Sequence, residues 1–178
     1  MAMAMAMAAA VAVPDSARAM TAAYESLCMA GDQSPQAVLA LADRSGWRRS
    51  GADAPKNFDP AFDRLIRAGD ATLMLDVRDS VSLGERRTIC GISTASPQPA
   101  LIADVQAMLG VAPTYHVAAS ATFFAVRENG TWKDGSKLTR AEFTVAKAAG
   151  TFYSVVVGGT DHDTTLFSLR VRPDRPVP

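Results

Sequence analysis

Between residues 15 and 46, apolar side chains recur every three or four positions, which is the spacing of one buried face of an α-helix. The capping residues predict a first helix that ends at Gly31 and a second that starts at Ser34-Pro35 and ends at Ser45-Gly46. The buried face of the first helix comprises Met20, Ala23, Tyr24, Leu27 and Cys28. Trp47 follows the second helix, where an apolar side chain closes the final turn, so we interpret it as a structural residue.

Residues 48–58 are polar and contain glycine and proline, which predicts a surface loop. Asp59-Pro60 then repeats the pattern of a capping residue followed by proline. We therefore predict a short helix that is stopped by Gly69. Its inward-facing residues are Phe62, Leu65 and Ile66.

From Ala71 onward the apolar positions alternate with polar ones, as expected for strands that bury one face. A helix interrupts the strands between Leu101 and Gly110, where the apolar residues return to helical spacing. Asn129-Gly130 is a strong hairpin signal because both residues tolerate positive φ angles. The predicted strands cover residues 71–77, 87–94, 115–127, 151–157 and 165–171.

Residues 139–149 fit two interpretations. Thr139-x-x-Glu142 has the spacing of a helix capping box, and the alanines that follow it favour a helix. Against this, Phe143 and Val145 alternate with polar residues, and the segment leads directly into the next predicted strand. We predict a strand here and keep the helix as the alternative.

Together these elements predict a single α+β domain over residues 15–178. Its core is an antiparallel sheet of five or six strands with one inserted helix, and the N-terminal helices cover one face. The chain has 178 residues, 48% of them hydrophobic, with 18 basic and 18 acidic side chains. The balanced charge argues against nucleic-acid binding, and no apolar run reaches the ~18–20 residues that a membrane span requires.

Residues 1–14 consist of Met, Ala and Val followed by one proline, and small residues suited to cleavage lie close by at Ala17-Arg18-Ala19. We interpret this segment as a signal-like leader, which predicts a periplasmic or secreted protein. The basic start of such a leader is missing, because the first basic residue is Arg18. The alternative is a low-complexity, disordered tail on a cytoplasmic protein.

Cys28 and Cys90 form an even pair that belongs to no Cys-x-x-Cys motif and to no set of zinc ligands. If the protein is exported, a disulfide between them is the natural interpretation. The alternative is a pair of buried free thiols.

Three features follow one another along the chain: Tyr24-x-x-x-Cys28 at the end of the first helix, Gly46-Trp47 after the second, and Cys90 in a strand. With the small-residue leader, this arrangement over residues 15–95 resembles small exported bacterial proteins of uncharacterised function. The resemblance implies export and the disulfide, and it implies no reaction.

The motifs of common serine hydrolases and of phosphate-binding loops do not occur in the chain. His162 lies between Asp161 and Asp163, a group that could hold a metal ion or orient a general base. The same residues, placed after Gly158-Gly159, are also typical of an exposed hairpin turn.

Arg170 and Arg172 share one face of the last predicted strand, and Arg87 lies in another strand. If the three are neighbours, they form a shallow candidate site for an anion or a carboxylate. The alternative is a solvated sheet face with a protected edge.

Other candidates favour structural roles. His116 falls within a strand pattern, and Trp132 after the hairpin turn is typical of a cross-strand contact. Asp76 and Asp79 are three residues apart at a strand end, which gives no reason for their carboxylates to converge as in a glycosidase.

These observations favour a non-enzymatic, exported accessory or binding domain that is stabilised by one disulfide, uses no cofactor, and binds a protein or a small molecule. The alternative is a metal-assisted or acid-base hydrolase that uses His162, Asp161 and Asp163. The two hypotheses differ in whether these three side chains converge in a pocket or splay around an exposed turn.

Overall fold

The structure, a computed structural model, describes residues 16–29 and 34–174. The predicted leader over residues 1–14 and the helix end at Gly31 lie outside these residues. The helices are α1 (Ser16–Cys28), α2 (Pro35–Arg44), α3 (Leu101–Leu109) and α4 (Arg140–Ala149). The strands are β1 (Asp63–Ala68), β2 (Ala71–Ser82), β3 (Glu85–Thr94), β4 (Tyr115–Val117), β5 (Ser120–Glu128), β6 (Thr131–Asp134), β7 (Phe152–Gly159) and β8 (Thr164–Pro173).

The strands form one antiparallel sheet in the order β1-β2-β3-β8-β7-β5-β4, with β6 beside β5. The α+β class is therefore confirmed, but the sheet in the described chain has eight strands where the sequence predicts five or six. The difference comes from β1 and from two short strands, β4 and β6, which both pair with β5.

One face of the sheet, which we call the covered face, packs against α1, α2 and α3. The buried side chains of this face lie at alternate strand positions, as the sequence pattern predicts; they include Leu73, Leu75, Val77, Ile92, Phe123, Val155 and Leu166. The other face, which we call the open face, carries the intervening residues. Among the helices of the described chain, only α4 crosses it, where Phe143 contacts Phe152 of β7.

The predicted helix before Gly69 is wrong, because residues 63–68 form β1. Asp59 caps only one turn, in which the backbone N–H groups of Phe62 and Asp63 donate to its carbonyl oxygen. The chain then pairs with β2 from Asp63 onward, which turns Arg64 and Leu65 to opposite faces of the sheet. Tertiary pairing thus overrides a local helix signal.

The predicted strand at 139–149 is also wrong, and the alternative interpretation is the one the structure shows. Thr139 and Glu142 form a complete capping box, in which each residue accepts a hydrogen bond from the other's backbone N–H. Gly150 ends α4 in the left-handed conformation, with φ of 65°.

Several local predictions are confirmed. Ser34 caps α2, and Trp47 is buried where its backbone N–H donates to the carbonyl of Ala42 in the closing turn. Asn129 and Gly130 both have positive φ, 51° and 80°, in the turn between β5 and β6. The disulfide between Cys28 and Cys90 is present, and it ties α1 to β3 beneath the helical layer.

Candidate functional site

A groove with a volume of about 560 Å³ lies on the open face. Its floor is formed by β2, β3 and β8, through Met74, Ile89, Gly91 and Phe167, and the loop at 53–57 forms one wall. The volume falls in the range of pockets that hold small molecules. We therefore treat this groove as the candidate functional site.

β8 contributes Phe167 to the floor because its open face carries apolar side chains. Leu166 is buried in the core of the covered face, while Phe167, Leu169 and Val171 lie on the open face and are half-buried. Gly91 of β3 is directly opposite Phe167. A Cβ atom at Gly91 would lie 2.7 Å from the Cβ of Phe167, so the close packing of the floor requires glycine there.

The charged side chains that line the groove among the described residues are all carboxylates: Asp53, Asp76 and Asp163. Thr72 donates a hydrogen bond of 2.8 Å to Asp53, and Thr160 donates one of 2.6 Å to Asp163. Arg48 pairs with Asp53 at 3.4 Å and Arg78 with Asp76 at 2.7 Å, so Asp163 is the rim carboxylate without a salt bridge to another described residue.

At one end of the groove, the lining residue Asp76 has a second carboxyl group beside it. Asp76 of β2 is the cross-strand partner of Asp63, whose side chain is buried and accepts a hydrogen bond from the backbone of Asp59. Burial raises the pKa of Asp63, and the Asp76 carboxylate beside it adds to the effect. Arg78 donates a hydrogen bond of 2.7 Å to Asp76 and lies 3.9 Å from Asp63, so one guanidinium serves both carboxyl groups.

A second cavity of about 670 Å³ adjoins the groove beyond Asp53 and Thr72. Its lining is about half polar, a larger polar share than in the groove, and includes Ser16, Arg67 and Gln98. The groove is the better candidate for a ligand because binding pockets are mostly apolar with a few placed polar groups.

The structure does not bring Asp161, His162 and Asp163 together in one pocket. All three are exposed on the turn between β7 and β8, where the backbone N–H groups of His162 and Asp163 donate to Thr160 Oγ1. Asp163 lines the groove, whereas Asp161 lines a separate cavity beside His116. Within residues 16–29 and 34–174, no three side chains of His, Cys, Asp or Glu are grouped so that they could hold a metal ion.

The three candidate arginines also lie apart. Arg87 is opposite Val171 and lies on the open face, whereas Arg170 and Arg172 point to the covered side, opposite Thr88 and Arg86. Arg170 donates to the carbonyl of Gly150 at 2.5 Å and lies over the Tyr153 ring. Arg87 is therefore the member of this set available on the open face.

Two further sequence candidates have clear positions. Trp132 packs edge-to-face on Tyr153, with ring centroids 5.3 Å apart, and Arg127 lies across its ring. His116 lies in the short edge strand β4 and is exposed. Asp76 and Asp79 lie on opposite faces of β2.

None of the sequence motifs points to the groove as a site. A signal was nevertheless present: Phe167, Leu169 and Val171 alternate on the face opposite to Leu166. In an antiparallel sheet with one solvated face, these positions are normally polar. A run of apolar residues at these positions indicates that the second face is also covered, by protein or by ligand.

Comparisons with protein-family models, with curated proteins and with solved structures found no match. None of the helices in the described part of the chain is long and apolar enough to cross a membrane. The chain is accordingly characterised by its fold and its site: an α+β domain with one disulfide and an acid-rimmed groove on the open face of its sheet.

Proposed function

We propose that the protein is an exported binding domain that holds an apolar, positively charged ligand in the groove on its open face. The observation that carries this proposal is the groove itself, in which an apolar floor is combined with a rim of carboxylates. No catalytic step is assigned to the groove.

The apolar part of the ligand follows from the floor. Met74, Ile89 and Phe167 leave apolar surface in contact with solvent on a sheet face that, apart from α4, no helix covers in the described chain. Removing apolar surface from water stabilises a complex by roughly 25 cal/mol for each Å². A ligand with an aliphatic or aromatic body therefore gains most by lying along β3 and β8.

The charge of the ligand follows from the rim. Asp76 and Asp163 stand at different points of the groove, and only one oxygen of Asp163 is occupied by a hydrogen bond among the described residues. An ammonium or guanidinium group can approach the free oxygen, whereas a ligand carboxylate would meet like charge.

Export is supported by the disulfide and by the composition of the N-terminal segment. Disulfides persist in oxidising compartments such as the bacterial periplasm, and they are rare in the cytosol. Cys28 and Cys90 are bonded and buried, so the covalent link is part of the core. The Met/Ala/Val segment over residues 1–13 is typical of a secretory signal.

The test uses dansylcadaverine, an aromatic probe with a primary amine, and its N-acetyl derivative, which lacks the positive charge. We expect the amine to bind about fivefold more tightly than the neutral derivative, because a partly exposed ion pair contributes about 1 kcal/mol. Fluorescence titration at low salt measures both affinities.

The matched variants are Ser93→Trp, which fills the groove from β3, and Thr122→Trp, which places the same bulk on the open face of β5 outside the groove. We expect Ser93→Trp to abolish probe binding and Thr122→Trp to leave it unchanged. Equal binding by both variants, or equal affinity for the charged and neutral probes, contradicts the proposal.

A further inference from the structure

A second pocket on the open face, which we call the cationic pocket, lies between α4 and the sheet and has a volume of about 240 Å³. Its walls are apolar and are formed by Phe143 of α4 with Phe152, Leu169 and Val171 of β7 and β8. Arg87 and Lys147 stand at its rim. It is separate from the groove described above, and its charge has the opposite sign.

The pocket exists because α4 rests on the sheet through few side chains. Ala146 is the buried residue of α4, and Phe143 packs edge-to-face on Phe152 with ring centroids 4.9 Å apart. Phe143 is still 38% exposed, so one side of its ring faces the pocket. The aromatic pair holds the helix off the strands and leaves a slot beside Leu169.

The charges at the rim do not cancel. Lys147 forms an ion pair with Glu85, which lowers the pKa of Glu85 and keeps it ionised. Arg87 lies 3.8 Å from the other Glu85 oxygen, beyond hydrogen-bond distance. Two cations therefore share one carboxylate, and the guanidinium of Arg87 donates no hydrogen bond within the described residues.

We propose that the cationic pocket binds a small monocarboxylate with an apolar body. The carboxylate accepts paired hydrogen bonds from the planar guanidinium of Arg87, a geometry that arginine is suited to provide. The apolar body fills the slot between Phe143, Phe152 and Leu169. A volume of 240 Å³ corresponds to about eight water molecules at liquid density, which suits a chain of about six carbons.

The apolar walls distinguish this ligand from a simple anion. An inorganic phosphate would accept hydrogen bonds from Arg87 but would leave the apolar surfaces of Phe143 and Leu169 exposed to water. It would therefore obtain no binding free energy from the burial of apolar surface. A neutral amide of the same length would fill the slot but would lose the charge-assisted hydrogen bonds. Both the charge and the apolar body are required.

The test is an NMR titration of the oxidised protein with hexanoate, with hexanamide and inorganic phosphate as the comparison ligands. We expect hexanoate to shift the amide signals of residues 85–87, 143–147 and 169–171, with at least tenfold higher affinity than either comparison ligand. Phosphate binding as tightly as hexanoate would reduce the site to a simple anion site and overturn the proposal.

Two arginine variants provide the matched control. Arg87→Ala should weaken hexanoate binding about tenfold or more, because hydrogen bonds to charged groups contribute that much. Arg172→Ala removes a cation that lies near Arg87 in the pair formed by β3 and β8 but on the opposite face of the sheet. This variant should leave hexanoate binding unchanged. An equal loss in both variants would mean that net charge alone attracts the anion, which would overturn the proposal.

Two further variants test the geometry without removing a cation. Glu85→Gln removes the carboxylate that competes for Lys147 and Arg87, so hexanoate should bind several-fold more tightly. Ser154→Leu fills the pocket from β7 at unchanged charge and should abolish binding. Weaker binding in Glu85→Gln, or full binding in Ser154→Leu, contradicts the proposal, whereas the dansylcadaverine result in the groove does not bear on it.

Discussion

Breaking the disulfide between Cys28 and Cys90 should remove a large part of the protein's stability. The bond joins the last residue of α1 to the middle of β3, across a sequence separation of 62 residues. Both cysteines are buried, so the bond links the helical layer to the sheet inside the core.

The magnitude follows from the length of the loop that the bond closes. On the chain-entropy model, a loop of about 60 residues loses about 14 cal/mol/K of entropy in the unfolded state, which stabilises the folded state by about 4 kcal/mol at 25 °C. For a chain of 150–250 residues, each kcal/mol corresponds to about 2–4 °C in melting temperature. We therefore expect the melting temperature to fall by about 8–16 °C.

The assay compares urea unfolding of the oxidised protein, of the same protein with a reductant, and of the variant with both Cys28→Ala and Cys90→Ala. The reduced protein keeps both sulfur atoms. The difference in the free energy of unfolding between the oxidised and reduced proteins therefore measures the effect of the covalent link alone. The double variant should be at least as unstable as the reduced protein, because its core also loses two sulfur atoms. Coincident unfolding curves for the oxidised and reduced proteins would show that the covalent link does not stabilise the fold.

Three other predictions concern single residues. Trp47→Ala should lower the free energy of unfolding by roughly 3 kcal/mol, because the buried ring leaves a cavity beneath α2; an unchanged unfolding midpoint in calorimetry would show that the ring does not stabilise the core. Arg64, and also Arg49, lower the pKa of Asp43 from 3.8 to about 2, so its carboxylate stabilises the fold above pH 4 and this contribution disappears as the pH falls to 2. Asp43→Asn should therefore be less stable than the natural protein at pH 7, and its stability should fall less between pH 4 and pH 2. An equal fall of the urea midpoint in both proteins over this pH range would contradict this. His162→Ala should change stability by no more than about 0.5 kcal/mol, and micromolar zinc binding that the substitution abolishes would restore the hydrolase hypothesis.

The sequence predicts local structure well where a short pattern determines it. The cap at Ser34, the turn at Asn129-Gly130 and the alternation of buried residues in β2 depend on neighbours within a few positions, and all three are confirmed. The errors arise where a distant contact decides the structure. Residues 63–68 begin with a helix signal but pair with β2, and no local pattern contains that information.

The candidate site was harder to predict for a related reason. Asp161, His162 and Asp163 are adjacent in sequence, yet a tight turn directs them to different surroundings. Gly91 and Phe167 are far apart in sequence, yet the register of β3 and β8 makes them neighbours on the groove floor. Sites assembled across a sheet depend on strand order, and the alternation of apolar residues does not determine that order.

If the open face of the sheet is a binding surface, titration with dansylcadaverine must change the amide chemical shifts of the residues that line the groove. We expect saturable shifts that concentrate in residues 74–76, 89–93 and 163–167 and in the loop at 53–57, the segments that contribute to the groove lining. Shifts confined to the cavity beside His116, or no saturable shifts at millimolar probe, would contradict it.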